Sequence, residues 1–413
     1  MRSRKIASVL AAVTASVLAL AACSSGSGGG GSAKAGSSGG TYDIGYSNGL
    51  TGESAGSTVP GSKMLEAAFN VVNAGGGVHG HKIKLTLLDQ GNPGSGEAAA
   101  NVTELATQDH VSAILGMQIS QDCASVVSLA AKYTTPLLCE RTPTSDLSPV
   151  NKYIFNDTSS EIAEVAPQIA MLKKLVSTPH PRVAILTAAT IGSETWAAAL
   201  KTAVDAIGGS VVSYQIIPLT ATSITAPQAN IIAAHPDILF GEIFQQFWVP
   251  LLDGMKAAGL TIPVVTTDGD VFYNDLVSLQ MPNLYETTVT EPISPTTTNP
   301  QQKTLVAAMS KLMGGTADDL NAGEGTIILA EAEVVIAALQ KCGYPCPGPA
   351  MATALASATT TVAGLAPGGF GYTPSLHFGV KEFFFYHWDT AANGLASAAT
   401  EPAANPVTGL PGS

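Results

Sequence analysis

Few residues in this chain of 413 have the types and spacing that chemistry requires, and Cys23 is the clearest of them. Three basic residues within Met1–Lys5 precede the apolar run Ile6–Leu20, and Ala21-Ala22-Cys23 follows that run. This pattern is typical of a signal peptide over residues 1–22 that ends in a lipobox. The apolar run is shorter than the roughly 20 residues that a membrane-spanning helix needs. The sequence therefore predicts a lipid chain on the Cys23 thiol after cleavage.

The other four cysteines fit disulfide bonds in an oxidising compartment outside the cytoplasm. Cys342 and Cys346 lie in a stretch rich in Gly and Pro, which favours a local bond between them. Cys123 and Cys139 then form the second pair. A zinc site is the alternative, but it needs four ligands at metal spacing, and two nearby cysteines without a neighbouring histidine do not supply them.

The histidines do not form a recognisable catalytic or metal centre. His79 and His81 flank a glycine turn and are interpreted as solvent-facing turn residues, while His377 and His387 have no Cys or acid at ligand spacing. The chain also contains no H-E-x-x-H sequence and no Walker loop. We therefore predict a binding protein without cofactor or metal, because binding requires only a cleft with a few placed polar groups.

Charge and composition narrow the choice of partner. When Arg2, Arg4 and Lys5 are removed with the signal peptide, the 19 basic residues fall to 16 against 31 acidic ones, a net charge of −15. Nucleic acid and anionic lipid are therefore not expected as partners. Apolar residues make up 46% of the chain, enough to bury large cores, and the length predicts two domains.

Alternating strands and helices must position any binding groups. A strand at Tyr42–Ser47, an amphipathic helix at Gly61–Asn73 and an alternating strand at Lys82–Asp89 predict a βαβ unit. The cycle recurs in both halves of the chain, which indicates α/β lobes with parallel sheets and helices on both faces. Residues 23–40, nearly all Gly, Ser and Ala, predict a flexible tether, and residues 391–413 predict a disordered tail.

The order of elements changes after Tyr285, and we expect the chain to return there to its first half. The predicted lobe 1 comprises residues 41–157 and 288–368, and the predicted lobe 2 comprises residues 158–287 and 369–390. Such a chain crosses between lobes three times, which gives a hinge able to close over a ligand. The predicted crossings are Phe155–Thr158, Thr288–Pro292 and Leu365–Gly371.

The stretch Met64–Ile83, which contains Asn73-Ala74-Gly75-Gly76-Gly77, resembles the signature of leucine/isoleucine/valine-binding proteins. In that signature a helix ends in Asn-x-x-Gly-Gly and leads through a tight turn into a strand, and glycine supplies the positive φ that the turn requires. The resemblance extends over about Tyr42–Asp389. It implies a type I periplasmic-binding-protein fold, in which two doubly wound parallel-sheet lobes are joined by a three-crossover hinge and the ligand lies in the cleft.

The resemblance also implies ligand contacts in lobe 1. In the family a Ser-rich loop after the third strand binds the ligand carboxylate, and Ser120 is the matching hydroxyl here. Thr142 and Thr144 match hydroxyls that follow the fourth strand. Arg141 departs from the family pattern: it either grips a carboxylate of the ligand or pairs with Glu140 or another local acid.

In lobe 2 the resemblance implies two further contacts. Asp268 matches an acid that pairs with an amino group, and Phe244 matches an aromatic that packs on the ligand. Ile191 stands where relatives often have Tyr, and Glu242 is an additional acid, so the site differs from one for a branched-chain amino acid. The expected ligand is an amino acid first, a short amide or urea-like compound second, and an aromatic or dicarboxylic acid third.

The lipobox predicts an extracytoplasmic lipoprotein that is anchored to the cell membrane, and we expect the protein to act as a monomer. It would pass its ligand to the membrane permease subunits of an ABC importer. The alternative is a ligand sensor for a membrane receptor, because closure of the cleft presents a new surface to either kind of partner.

Overall fold

The computed structural model describes residues 39–158, 160, 162–268, 273–294, 296–313 and 321–409. The predicted lipidation site at Cys23 lies outside these residues, as do most of the predicted tether and the side chain of Thr144. No helix within the described ranges is both long and apolar enough to cross a bilayer.

Lobe 1 is built on a five-stranded sheet in which every pair of neighbours is parallel. Its strands are β1 (Tyr42–Asn48), β2 (Ile83–Asp89), β3 (Ala113–Gly116), β4 (Leu137–Cys139) and β5 (Ile154–Asn156). Its first helices are α1 (Ala55–Ala74), α2 (Glu97–Thr107), α3 (Ser120–Tyr133) and the short α4 (Thr144–Leu147). The strand order is β2-β1-β3-β4-β5. The inner strands are apolar and buried because helices cover both faces of the sheet.

Lobe 2 repeats this arrangement with a second parallel sheet. Its parallel strands are β6 (Arg182–Ala188), β7 (Ser210–Ile217), β8 (Ile238–Glu242), β9 (Val264–Thr266) and β10 (Leu284–Thr288). Its helices are α5 (Val165–Leu175), α6 (Ile191–Ala206), α7 (Thr225–Ala234), α8 (Trp248–Ala257) and α9 (Tyr273–Leu279). The strand order β7-β6-β8-β9-β10 has the same pattern as lobe 1.

The chain then returns to lobe 1, as its changed order of elements predicts. The returning elements are α10 (Pro300–Met313), α11 (Gly325–Cys342), α12 (Gly348–Leu355) and the two-residue strands β11 (Thr359–Thr360) and β12 (Phe370–Gly371). Helices α10 and α11 both pack against α1. The core of lobe 1 therefore combines residues that are more than 200 positions apart, such as Met64 and Ile328.

The third crossing to lobe 2 lies later than the predicted Leu365–Gly371. After β12 the chain stays on lobe 1, because the Asn156 N–H donates to the His377 carbonyl at 2.8 Å and the Gly379 N–H donates to the Asn156 carbonyl at 3.0 Å. The His377 ring also stacks on Phe155, with 4.0 Å between ring centroids. The crossing therefore follows Gly379.

The prediction of a disordered tail is wrong for much of residues 391–413. After the crossing, β13 (Glu382–Asp389) pairs antiparallel with β10, and β14 (Gly394–Pro402) pairs antiparallel with β13. The lobe 2 sheet therefore has seven strands rather than five. The Ala-rich composition of β14 hides its strand character, since its partner β13 supplies most of the large apolar side chains.

Both predicted disulfide bonds are present. Cys123 in α3 is bonded to Cys139 at the end of β4, and Cys342 at the end of α11 is bonded to Cys346. The first bond joins a helix to a strand directly behind the loops that face lobe 2.

Candidate functional site

A cavity of about 60 Å³ lies between the two lobes, at the point where each sheet reverses its strand order. The reversal falls between β1 and β3 in lobe 1 and between β6 and β8 in lobe 2. Ligands of open parallel sheets bind beyond the strand ends at such switch points. Residues that line the cavity follow all four of these strands, namely Ser54, Ser57, Gln118, Ser120, Thr190, Ser193, Glu242, Ile243 and Phe244. The repeated topology thus places two switch points face to face.

Ser120 joins the lobes at this cavity. It is the first residue of α3, and its Oγ accepts a hydrogen bond from the Gly192 N–H of α6 at 3.0 Å. Helix α3 begins at Ser120, and Ile119 occupies the N-cap position. Ser120 is buried and lines the cavity, and the ligand contact that the resemblance implies for it stays a prediction.

Arg141 reaches from lobe 1 to lobe 2. Its Nη1 lies 2.6 Å from Glu242 Oε1, and its Nη2 donates to the Asp268 carbonyl oxygen. Glu242 Oε1 also accepts from Ser193 Oγ at 3.0 Å. The Glu242 side chain is only 7% exposed, whereas that of Arg141 is 22% exposed. Of the two alternatives that the sequence leaves open, the structure shows Arg141 paired with an acid, but the acid belongs to the opposite lobe.

The other predicted contact residues lie in different settings. Phe244 lines the cavity, whereas buried Thr142 lines a smaller cavity of about 10 Å³ on the other side of Arg141. Asp268 lines neither cavity; its N–H donates to Glu164 Oε2 at 3.2 Å. Its backbone carbonyl oxygen accepts a hydrogen bond from Arg141 Nη2.

Sequence reasoning missed several polar residues of the cavity. Ser54 and Ser57 reach it because α1 begins at Ala55 and not at the predicted Gly61. Pro60 lies inside that helix, and a proline in the first turns of a helix hides the true start from a pattern reading. Thr190 caps α6, because its Oγ1 accepts a hydrogen bond from the Ser193 N–H at 3.0 Å. A Thr followed three residues later by Ser at the start of a predicted helix is a capping signal that could have indicated Thr190 and Ser193.

Four buried carboxyl groups lie behind the cavity in lobe 1, and we name Glu140, Asp157, Glu324 and Glu331 the inner acid cluster. Asn48 Nδ2 donates to Glu140 Oε1 at 2.6 Å, and the Gly116 N–H donates to Glu331 Oε1 at 3.1 Å. Gln118, which lines the cavity, donates through Nε2 to Glu324 Oε1. The inner acid cluster thus touches the ligand cavity through one amide side chain.

Burial raises the pKa of every member of the inner acid cluster. The pKa of Asp157 and that of Glu324 are each raised to about 7. Burial, together with the charges of neighbouring acids, raises the pKa of Glu140 and of Glu331 well above the usual range. Burial also raises the pKa of Glu242, but Arg141 and the hydrogen bond from Ser193 act in the opposite direction. Burial thus favours the protonated form of the carboxyl groups in the inner acid cluster, whereas the carboxylate of Glu242 is paired with a cation.

The cavity lacks the groups that hydrolysis or metal chemistry would need. Gly52-Glu53-Ser54-Ala55-Gly56 has the G-x-S-x-G spacing of a nucleophile, yet none of the described residues that line the cavity is a histidine that could activate Ser54. Within the ranges that the structure describes, no group of three or more His, Cys, Asp or Glu side chains could hold a metal ion. The arrangement supports binding, through hydroxyls, an amide and one ion pair.

Comparison with solved structures agrees with this architecture. The solute-binding protein of an ABC transporter from Rhodopseudomonas palustris HaA2, in complex with p-hydroxybenzoic acid, is 17% identical, covers 89% of this chain and 98% of its own, and has a TM-score of 0.75. The ABC transporter substrate-binding protein from Sphaerobacter thermophilus is 18% identical, with 88% and 98% covered and a TM-score of 0.71. The branched-chain amino acid transporter substrate-binding protein from Streptococcus pneumoniae, in complex with isoleucine, is 18% identical, with 88% and 99% covered and a TM-score of 0.68.

Two facing α/β lobes with a polar cavity between their switch points define a protein that holds a small solute. A family model described as periplasmic binding protein matches residues 41–394, and no curated protein matches the chain. The chain therefore belongs to the type I periplasmic binding protein family, whose members bind solutes and are not enzymes, and it has the fold of solute-binding proteins of ABC transporters. This membership means that the chain acts outside the cytoplasm.

Proposed function

We propose that this protein is a lipid-anchored solute-binding protein of an ABC importer. It holds an amino acid, or a related small amide or carboxylate, between its lobes. The observation that carries the proposal is the pair of contacts that bridge the lobes at the cavity, Arg141 with Glu242 and Ser120 with Gly192. Both contacts require the cleft to be closed, and both involve groups that a polar solute would use.

The chemistry of the lining favours a solute with both donors and acceptors. Arg141 offers N–H donors that suit a carboxylate, and Glu242 offers an anion that suits an amino or amide nitrogen. Hydroxyls of Ser57, Ser120 and Thr190 surround this pair. An apolar solute could not replace any hydrogen bond that it displaced here, and each buried polar group left unpaired costs about 1–3 kcal/mol.

The size of the cavity favours a small solute. A volume of about 60 Å³ has room for a few water molecules, since one water needs at least about 10–15 Å³. That space matches the four or five heavy atoms of urea or glycine. A solute as large as isoleucine or p-hydroxybenzoic acid, which two of the solved relatives bind, needs a wider cleft or a displaced side chain.

The lipid anchor is supported by the lipobox that ends at Cys23. With two or more acyl chains the anchor would hold the protein stably at a membrane. Intact mass measurement of the protein from a membrane fraction should show a mass increase that fits acylation. The Cys23→Ser variant should lose both that increase and its attachment to the membrane; a variant that stays attached would contradict the anchor.

Solute binding is tested by thermal melting of the chain from Ser24 onward against a panel of amino acids, small amides and carboxylic acids. A solute at 100 times its dissociation constant adds about 2.7 kcal/mol to the free energy of unfolding. At least one amino acid, amide or carboxylate should raise the melting temperature, and Ser120→Ala should reduce the rise. Ser125→Ala is the matched control, since Ser125 Oγ bonds within α3 to the Asp122 carbonyl. A panel without any effect would contradict the proposal.

A further inference from the structure

The guanidinium of Arg141 occupies two acceptors of the opposite lobe at once. Nη1 contacts Glu242 Oε1 at 2.6 Å, and Nη2 donates to the carbonyl oxygen of Asp268. The distance between these two acceptors therefore matches the two Nη atoms of one guanidinium group. Glu242 is the last residue of β8, and Asp268 lies two residues beyond the end of the neighbouring strand β9, so both acceptors lie at the same edge of the lobe 2 sheet.

The same side chain divides the space between the lobes. Arg141, Ser120 and Glu242 line the cavity of about 60 Å³ and also the cavity of about 10 Å³ beyond it. Movement of the guanidinium out of this position would join the two spaces and expose both acceptors to a solute. Arg141 therefore fills part of the volume that a solute larger than a few heavy atoms needs.

Glu242 limits what can replace the guanidinium. Its carboxylate is buried, and Ser193 supplies one neutral hydrogen bond. If Arg141 turns away to hold the carboxylate of a solute, Glu242 keeps its charge without a cation. Removing one partner of a buried ion pair is strongly unfavourable, so the solute must bring positive charge to this position.

We propose that Glu242 Oε1 and the Asp268 carbonyl oxygen form a cation subsite that Arg141 fills in the absence of solute. The subsite takes a guanidinium or amidinium group of the solute. This group displaces the side chain of Arg141, which then turns toward the rest of the solute. This inference rests on the proposed function, because it assigns one end of the solute in the same cavity. The two proposals can be tested separately, because the acceptor pair can be probed with small cations without the natural solute.

The test is chemical rescue of the Arg141→Ala variant by methylguanidinium, with melting temperature as the readout. Methylguanidinium at millimolar concentration should raise the melting temperature in a saturable manner. Neutral methylurea, which has the same shape, should need about tenfold higher concentration, because it donates to the same carboxylate but lacks the positive charge that attracts Glu242. Addition of Glu242→Gln to the variant should abolish the difference between the two compounds. Equal effects of both compounds, or no effect of either, would overturn the proposal.

A second measurement uses the wild-type protein, in case Arg141→Ala does not fold. Guanidinoacetate and N-carbamoylglycine, in which a neutral ureido group replaces the guanidinium and the carboxylate is kept, are titrated by calorimetry into wild type and into Glu242→Gln. The compound with the guanidinium should bind about tenfold more tightly to wild type, and the Glu242→Gln variant should lose this preference. Lys201→Ala is the matched control, since the ion pair of Lys201 with Asp205 lies on the exposed face of α6. A preference that persists in Glu242→Gln, or no binding of either compound to wild type, would refute the cation subsite. Neither result would change the outcome of the melting experiment that tests solute binding itself.

Discussion

The cleft and the inner acid cluster treat buried carboxyl groups in opposite ways. In the cleft, Glu242 is balanced by Arg141, a cation that comes from the other lobe. In the inner acid cluster, Glu140, Asp157, Glu324 and Glu331 have raised pKa values, which favour the neutral, protonated form of each group. The first arrangement depends on the relative position of the lobes, whereas the second depends on pH. We therefore expect a solute to change the contacts in the cleft, and the pH of the medium to change the protonation of the inner acid cluster.

The largest expected effect is the loss of the cleft ion pair. Arg141→Ala leaves the carboxylate of Glu242 buried without its cation, and removal of one partner of a buried pair costs about 3–5 kcal/mol. The free energy of unfolding, measured by chemical denaturation, should fall by an amount of this order. The double variant Arg141→Ala, Glu242→Ala should recover part of the loss. A loss below about 1 kcal/mol, the range of an exposed pair, would show that the pair is not buried in solution.

The next effect is a dependence of stability on pH, which comes from the inner acid cluster. The pKa of Asp157 and that of Glu324 are about 7 in the folded protein, above the ordinary 3.8 and 4.5. The folded state therefore holds more protons than the unfolded state between about pH 4 and pH 7. Stability contributed by these groups is fully present below about pH 4 and is lost as the pH rises toward 7. We expect a decrease on the order of 1–4 kcal/mol across this window.

Glu331→Gln sharpens this prediction. A glutamine keeps the oxygen that accepts from the Gly116 N–H, but it does not lose a proton. The variant should therefore flatten the decrease in stability between pH 5 and 8, as followed by denaturant unfolding at each pH. An unchanged slope would mean that Glu331 does not take part in the proton balance.

A smaller effect is expected from the neutral contact across the cleft. Ser120→Ala removes the acceptor of the Gly192 N–H and should cost about 1 kcal/mol in the free energy of unfolding. Unlike the pH effect, this loss should be similar at pH 5 and at pH 8. A strong change with pH would link Ser120 to the inner acid cluster instead.

The smallest effect belongs to an ion pair on the surface. Lys201 and Asp205 lie four positions apart on α6, and Lys201 Nζ is 2.7 Å from Asp205 Oδ2. Both side chains are about half exposed. Lys201→Ala should cost no more than about 0.5 kcal/mol, and added salt should remove the difference from wild type. A cost similar to that of Arg141→Ala would contradict the contrast between buried and exposed pairs.

Local patterns predict the repeated βα units, and the two disulfide bonds also agree with the sequence. Contacts between distant segments explain what the sequence does not reveal. β14 depends on β13 for its apolar surface, and the third crossing depends on bonds between Asn156 and residues near His377. Glu242, the partner of Arg141, is 101 positions away along the chain. The sequence alone therefore suggests a nearby acid such as Glu140, and only the fold shows that the partner lies in lobe 2.

Calorimetric titration tests the central claim that the cleft binds a small polar solute between Arg141 and Glu242. The solute that raises the melting temperature most is titrated into wild type, Arg141→Ala and Glu242→Gln. The account predicts a single site per chain in wild type and an affinity at least about tenfold lower in each variant, since each loses a hydrogen bond to a charged group. Unchanged affinity in both variants would contradict the account and place the solute outside this cavity.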